Sequence, residues 1–247
     1  MTGIDPDKFP LCAHFLSGYL SRRSTDEANF PADGGEELLL RYERIFESGV
    51  SNFGLSKEQL KRRTEFNFDS GVPASLEAGI AIFRVAEVLR KSGFSGLKLI
   101  TPKEGEQGAD IACKKNGIRV CVEVKTVTKQ SAGQKGQFLE EQLYEKVRSF
   151  ATKAAAQLKV SAHVLKCEVK LVAFVVNWFD HTIFLTQHNL QEIVNKLEEH
   201  GGVRSIDGID GVWFIMRFGN DHLFLNDSGK RIDVLTDQSS DECTDRA

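Results

Sequence analysis

Residues 108–126 have the sequence GADIACKKNGIRVCVEVKT, which predicts a β-hairpin with three charged side chains at one end. The Asn116-Gly117 pair favours a two-residue turn, because both residues readily adopt the positive φ angles that such a turn requires. In the strand after the turn, side chains alternate between the two faces, so Glu123 and Lys125 share one face. Asp110 lies on the opposite strand, within reach of the same end of the sheet. We therefore expect two acids and a lysine to converge at the rim of an apolar sheet.

The chain has 247 residues, a length that suits one large domain or a core domain with an N-terminal addition. Its composition, 41% hydrophobic and 27% charged, is that of a globular protein. A run of 18 or more apolar residues, as a membrane-spanning helix requires, is absent from the sequence. The first ten residues are polar and acidic, unlike a signal peptide. These features predict a cytoplasmic protein.

Positive charge is concentrated around the hairpin. The net charge of the chain is −3, yet residues 110–170 contain 12 Lys and Arg against 6 Asp and Glu, a balance of +6. Residues 1–109 and 171–247 have balances of −2 and −7. A basic segment in an otherwise acidic chain suits an anionic partner such as nucleic acid, although it is also compatible with a solvated surface.

The five cysteines are scattered along the chain and show no C-x-x-C spacing. Their odd number and irregular spacing argue against a disulfide framework and against a zinc site. Cys113 and Cys121 could face each other across the hairpin. We expect instead that both are small buried thiols.

The N-terminal part of the chain predicts helices. Apolar residues at helical spacing predict one helix over 8–23 and a second over 36–47, ended by Gly49. Ser56, followed by Glu and Gln within three residues, predicts the start of a third helix. This third helix carries Lys61–Arg63, a possible contact for phosphate.

A fourth helix and a first strand precede the hairpin. Ser75 is the predicted N-cap of this helix, and Gly93 is predicted to end it. Apolar residues on nearly every side of this helix predict burial against a sheet. The strand is expected at about 97–101.

Beyond the hairpin, the pattern of helices and strands is typical of an α/β fold. Residues 126–136 predict a mobile loop, and residues 138–159 predict a long helix. The continuous apolar run at 171–177 predicts a strand that is buried on both faces. Further elements are predicted in the order strand 182–186, helix 189–199 and a strand pair at 211–218 and 222–226. Candidate phosphate contacts on the long helix are Lys146, Arg148, Lys153 and Lys159.

These patterns divide the chain into three segments. Residues 1–70 form a predicted helical N-terminal extension, and residues 71–232 contain the predicted core with its C-terminal α/β additions. Residues 233–247 are acidic and small, and predict a disordered tail.

The acids of the hairpin suggest a metal site. Two carboxylates a few ångströms apart repel each other unless a positive group lies between them. Mg²⁺ prefers oxygen ligands and uses one or two carboxylates, leaving positions for water and a substrate phosphate. Asp110 and Glu123, with the backbone carbonyl of Val124, could hold such an ion, and Mn²⁺ could replace it. Lys125 could orient the attacking water or stabilise charge on the phosphate. The alternative from spacing alone is a surface ion pair between Glu123 and Lys125, worth about 0–1 kcal/mol.

The motifs GADI at 108–111 and VEVK at 122–125 resemble those of the PD-(D/E)xK nuclease superfamily. The predicted order of helix, strand, hairpin, helix and strand resembles that superfamily as well. The two motifs are most similar to Mrr-type restriction endonucleases and archaeal Holliday-junction resolvases. The resemblance covers about residues 72–178. It implies a restriction-endonuclease-like core, with Asp110 and Glu123 as Mg²⁺ ligands, Lys125 as a catalytic residue, and DNA phosphodiester hydrolysis as the reaction.

The chain departs from this pattern at several positions. The proline before the aspartate of the motif is Ala109 here. Many relatives carry a glutamate on the first helix, but the corresponding position is Ile82. We assign that role to Glu77, with Glu87 as the alternative; a surface or capping role for Glu77 is the other interpretation. A glutamine on the helix after the motif is assigned to Gln157 in preference to Gln142.

The sequence thus predicts a Mg²⁺-dependent DNA endonuclease of the restriction, repair or defence type. One alternative is a catalytically inactive module of the same fold that binds DNA or a protein partner. RNA is a second possible substrate. A homodimer is plausible, because two sites related by two-fold symmetry can cut both strands of a duplex.

Overall fold

The computed structural model describes residues 4–22, 35–64, 66, 73–100, 108–127, 140–176, 195–196, 199–201, 206–215 and 222–225. Within these ranges the helices are α1 (Pro10–Arg22), α2 (Gly35–Phe53), α3 (Lys57–Arg63), α4 (Pro73–Lys91) and α5 (Glu140–Leu165). The strands are β1 (Ser95–Leu99), β2 (Ile111–Lys115), β3 (Ile118–Val127), β4 (Val169–Val176), β5 (Gly211–Ile215) and β6 (His222–Leu225). In the described part of the chain, no helix has the length and apolarity needed to cross a membrane.

The six strands form one mixed sheet whose spatial order equals the chain order, β1 to β6. The pairs β1–β2, β2–β3 and β5–β6 are antiparallel. Strands β3, β4 and β5 are parallel, and α5 connects β3 to β4. The predicted α/β class with a mixed sheet and flanking helices is therefore confirmed.

Two hydrophobic cores cover the two faces of the sheet. Along β3, Val120 and Val122 belong to the first core, whereas Cys121 belongs to the second. Residues of α1 to α4 complete the first core, and α5 packs over the second. The alternation along β3 and β4 places these helices on opposite faces, so the sheet is buried on both sides, as predicted for 171–177.

The N-terminal helices share the first core with α4 and the sheet. Phe15, Phe46 and Phe83 pack together, with ring centroids 4.6 to 5.4 Å apart. The prediction that Gly49 ends the second helix is wrong, because α2 continues to Phe53. A side chain at Gly49 would overlap the ring of Phe83, so this glycine permits close approach of α2 and α4.

The helix ends predicted at Ser56 and Gly93 are confirmed, whereas the one predicted at Ser75 is wrong. Ser56 caps α3 with the expected capping box, since its hydroxyl accepts from the amide of Gln59 and the Gln59 side chain accepts from the amide of Ser56. Ser75 is not the N-cap of α4, because the helix already begins at Pro73, a residue well suited to a first helical position. Gly93 follows the helix with a φ of 82°, as expected of a terminating glycine.

The hairpin matches its prediction. Asn116 and Gly117 connect β2 to β3 with φ angles of 49° and 81°. The strand pair β5 and β6 is also confirmed within the described ranges. The predicted loop at 126–136 lies almost wholly outside the described residues, as do the strand at 182–186, most of the helix at 189–199, and the tail at 233–247.

The cysteines differ from expectation. Cys121 on β3 forms a disulfide with Cys167, which lies between α5 and β4. Cys113 does not face Cys121, because the register pairs it with Val120 and places its side chain in the first core. The expected buried thiol is confirmed for Cys113 and is wrong for Cys121, and Cys12 is a further buried thiol. Burial raises the pKa of the Cys113 thiol to about 12.

Candidate functional site

The hairpin register brings Asp110 and Glu123 together. Strands β2 and β3 pair Ile111 with Val122, so the same register continued by one residue places Asp110 opposite Glu123. The amide of Asp110 donates to the carbonyl of Val122 at 3.1 Å, so the contact between the strands reaches Asp110, with a shift of one residue from that register. Directly opposed residues of an antiparallel pair have neighbouring side chains on one face. Both side chains line one cavity and the charge of Asp110 acts on Glu123, so the two carboxylates are close together, as the sequence predicted.

Asp110 is held by backbone groups on both sides. Its Oδ2 atom accepts a hydrogen bond from the amide of Val124 at 2.7 Å. Its own carbonyl accepts from the amide of Ile100, next to β1, at 2.9 Å. These contacts fix the carboxylate at the end of the hairpin. Val124, predicted as a metal ligand through its carbonyl, thus contacts Asp110 through its amide.

Lys125 lies beside both Glu123 and helix α5. Its Nζ atom donates to Oε1 of Glu123 at 2.5 Å and to Oε1 of Gln157 at 3.0 Å. The Glu123 side chain is 2% exposed and that of Lys125 is 23% exposed. This is a sheltered ion pair at the rim of the sheet, not the exposed surface pair of the alternative interpretation.

The environment of Glu123 opposes its ionisation. Burial, and then the nearby negative charge of Asp110, raise the pKa of Glu123 to about 8, although Lys125 acts in the opposite direction. The charge of Lys125 already favours the ionised form in the ion pair, and a bound cation would favour it further. Such perturbed groups are typical of functional sites.

The donor set fits a hard divalent cation. The Oε2 atom of Glu123 is buried and has no hydrogen-bond donor among the described residues. An oxygen in that position is suited to a metal, as is the neighbouring carboxylate of Asp110. The described ranges contain no group of three or more His, Cys, Asp or Glu side chains that could hold a metal. Two carboxylates completed by water and substrate oxygens match the usual coordination of Mg²⁺.

Helix α5 fixes the residues that lead into β2. The Gln157 amide donates to the carbonyl of Gly108 at 3.4 Å, and the Ser161 hydroxyl accepts from the amide of Ala109 at 2.8 Å. Gln157 and Ser161 lie one turn apart on the same face of the helix. Ser161, which the sequence did not suggest, is buried. Its partner is 52 residues away, and no local pattern indicates such a contact.

A cavity of about 340 Å³ opens beside these residues. Asp110, Glu123, Lys125 and Gln157 form its polar wall. The rest of the lining consists of Ala78 and Ile82 from α4, Val124 and Thr126 from β3, and Phe150 from α5.

The additional acids are not in the cavity wall. Glu77 is buried, at 7% exposed, but it does not line the cavity, because Ala78 and Ile82 occupy that face of α4. Glu87 pairs with Arg84 at 3.0 Å and with Lys91 at 2.6 Å. The structure thus gives no support to Glu77 or Glu87 as a further ligand. Gln157 is the glutamine that reaches the site, and the side chain of Gln142 lies outside the described part.

The predicted phosphate contacts follow α5. Arg148, Lys153 and Lys159 are exposed on this helix. Lys146 is half-buried, with its Nζ atom 5.0 Å from the ring centroid of Phe150. Phe150 lines the cavity, whereas Lys146 does not.

No family model, no curated protein and no solved structure matches this chain. The functional proposal therefore depends on the carboxylates, the lysine and the cavity themselves.

Proposed function

We propose that this chain is a Mg²⁺-dependent nuclease that hydrolyses phosphodiester bonds in DNA. The observation that carries the proposal is the convergence of Asp110, Glu123 and Lys125 at one cavity, with Oε2 of Glu123 buried and lacking a donor among the described residues. The chain order of hairpin, α5 and parallel strand β4 also supports a restriction-endonuclease-like core. That core would occupy residues 71–232 and follow the helical extension at 1–70.

Each residue has a defined part in the proposed reaction. Asp110 and Glu123 would hold the cation, which would activate water and stabilise negative charge on phosphate oxygens when bound. Lys125 donates hydrogen bonds to the attacking water or to the phosphate. Gln157 keeps the lysine in place through its 3.0 Å contact. The water oxygen bonds to phosphorus, one phosphorus–oxygen ester bond breaks, and the departing oxygen receives a proton.

The charge distribution supports a nucleic-acid substrate. Segment 110–170 has a balance of +6, and its cations include Arg148, Lys153 and Lys159 on the surface of α5. Side chains of this type bind the phosphate backbone without regard to sequence. Their position on the helix that carries Gln157 places positive charge on the element next to the carboxylates.

One observation favours a second candidate, a module of the same fold that binds DNA or a protein without cleaving it. Ile82, where the resembling nucleases carry a glutamate, makes one wall of the cavity apolar. Without that glutamate, the site has two carboxylates for metal binding, one fewer than those nucleases have. A two-carboxylate site is sufficient for Mg²⁺, so we favour catalysis.

A cleavage assay tests the proposal. Plasmid, branched DNA and RNA are incubated with wild-type protein in Mg²⁺ or Mn²⁺ and compared with the Asp110→Ala and Lys125→Ala variants. Lys114→Ala is a matched control, because Lys114 is exposed on β2 of the same hairpin and does not line the cavity. We expect cleavage by wild type and by the control, and loss of about 100-fold or more in the two site variants.

Equal cleavage by wild type and both site variants would exclude the assigned residues. Absence of metal-dependent cleavage, with DNA binding that persists in Glu123→Gln, would favour the non-catalytic module. Cleavage of RNA alone would keep the chemistry and change the substrate.

A further inference from the structure

The cavity is larger than a bound cation requires, and part of its lining is apolar. Its volume of about 340 Å³ lies at the lower end of the range for pockets that hold small organic molecules. A hydrated cation and a phosphate can contact Asp110 and Glu123. They would gain nothing from the apolar side formed by Ala78, Ile82 and Phe150. A flat apolar group joined to the phosphate would bury that surface favourably.

In a nucleic acid, the bases are flat groups whose faces are apolar and whose edges are polar. Within an intact duplex, bases are stacked on one another and paired, so a protein side chain cannot cover their faces unless the nucleotide leaves the stack. In a single strand, the faces of the bases are accessible, and stacking on an aromatic side chain is worth about 1–3 kcal/mol per base. A cavity with an aromatic wall therefore favours an unpaired nucleotide.

We propose that the apolar side of the cavity is a binding subsite for an unpaired nucleotide, whose base or sugar lies against Phe150 and Ile82. This inference rests on the proposed nuclease function and deepens it by naming the substrate class. The preferred substrate is single-stranded DNA, or the unpaired ends and mismatched segments of a duplex.

Phe150 and Lys146 are well placed for this purpose. Phe150 is only partly buried, and it is anchored against the second core. Lys146, one helical turn earlier, has its Nζ atom 5.0 Å from the centre of the ring. This amino group lies over one face of the ring, so a base that stacks on that face takes its place, and the displaced ammonium is then available to a phosphate of the same strand. Ring and cation together match the pattern of single-strand binding sites, in which aromatic stacking accompanies backbone neutralisation.

Ile82 also contributes to the apolar lining of the subsite. It lies one turn after Ala78 on α4, and both side chains face the cavity. A carboxylate at this position would repel a phosphate and would have to be desolvated next to a base. The isoleucine thus accounts for both the missing third acid and the apolar contact surface.

Binding measurements test the subsite without depending on cleavage. Fluorescence anisotropy is recorded with a labelled single-stranded DNA and with its blunt duplex, in Ca²⁺ and in EDTA. Wild type is compared with Phe150→Leu and Phe150→Tyr. The leucine keeps an apolar side chain against the core and removes the aromatic face, whereas the tyrosine keeps that face. Val164→Ala is the matched control, since Val164 is a 70% exposed apolar residue on the same helix.

We expect wild type to bind the single strand more tightly than the duplex. Phe150→Leu should weaken single-strand binding about 5- to 50-fold and leave duplex binding unchanged. Phe150→Tyr and Val164→Ala should both bind like wild type. Equal affinity of wild type for both DNAs, or an equal loss for both DNAs in Phe150→Leu, would overturn the subsite.

Different results would refute the nuclease function and the nucleotide subsite. Selective binding of the single strand through Phe150, without cleavage in Mg²⁺, would establish the subsite and refute the nuclease. Cleavage of intact duplex that Phe150→Leu leaves unchanged would establish the nuclease and refute the subsite. Thermal unfolding of each variant shows whether the fold is retained, and the tyrosine variant keeps the test valid if the leucine variant is unstable.

Discussion

Replacing Glu123 by glutamine should stabilise the protein in the absence of divalent cations. The Glu123 side chain is 2% exposed, and burial together with the charge of Asp110 raises its pKa from 4.5 to about 8. Because the pKa is higher in the folded protein, the folded state prefers the protonated form. The contribution of this group to stability is complete below about pH 4.5 and is lost as the pH rises toward 8.

The size of the effect follows from the same shift. Between the two pKa values, each pH unit changes the free energy of unfolding by about 1.4 kcal/mol. At pH 7 the ionisable carboxyl is therefore less favourable for folding than a neutral amide by up to about 3 kcal/mol. Glutamine has almost the same shape and carries no charge, so Glu123→Gln should recover most of this difference.

Urea unfolding followed by circular dichroism measures the effect. Wild type, Glu123→Gln and the exposed control Glu145→Gln are compared in EDTA near pH 5 and near pH 8. We expect Glu123→Gln to exceed wild type near pH 8 and to approach it near pH 5, while the control follows wild type throughout. Excess Mg²⁺ should stabilise wild type and have little effect on Glu123→Gln, because metal binding requires the ionised carboxylate. A Glu123→Gln protein that is less stable than wild type in EDTA near pH 8 would refute the reasoning from burial.

Three further changes test the surroundings of the site. Ser161→Ala removes the acceptor for the amide of Ala109, so Mn²⁺ affinity measured by calorimetry should fall about 10-fold. In an Ala109→Pro background, which has no such amide, Ser161→Ala should have no additional effect, and an unchanged 10-fold loss there would contradict the assigned contact. Ile82→Glu adds a third carboxylate to the cavity and should raise Mn²⁺ affinity about 10-fold in calorimetry, whereas weaker binding would show that position 82 does not reach the metal. Gly49→Ala places a methyl group against Phe83 and should lower the free energy of urea unfolding by about 1–3 kcal/mol, and unchanged stability would contradict the close helix contact.

The hairpin and its charged residues were predictable because their geometry is local. A two-residue turn at Asn116 and Gly117 fixes the register of both strands, so residues equally distant from the turn must face each other. Asp110 and Glu123 are such a pair. Alternation by two then places Lys125 on their face.

Features that depend on contacts between distant elements were not predictable in this way. The apolar cavity wall arises from the way α4 meets the sheet, and Ile82 carries no sign of it in the sequence. Gly49 was expected to end a helix, since glycine often does so, but tertiary packing against Phe83 determines its role. The partners of Ser161 and Cys121 lie 52 and 46 residues away, respectively, and become neighbours only when α5 packs on the sheet.

The Cys121–Cys167 disulfide closes a covalent ring that contains much of the candidate site. Glu123, Lys125, Gln157 and Ser161 all lie between the two cysteines, whereas Asp110 lies outside. A single break of the chain anywhere within the ring would leave the two fragments joined until the disulfide is reduced. Closing a loop of 46 residues removes conformational entropy from the unfolded chain equivalent to about 4 kcal/mol at 25 °C. In the oxidised protein, β3 and α5 therefore stay within reach of each other even when the rest of the fold has been lost.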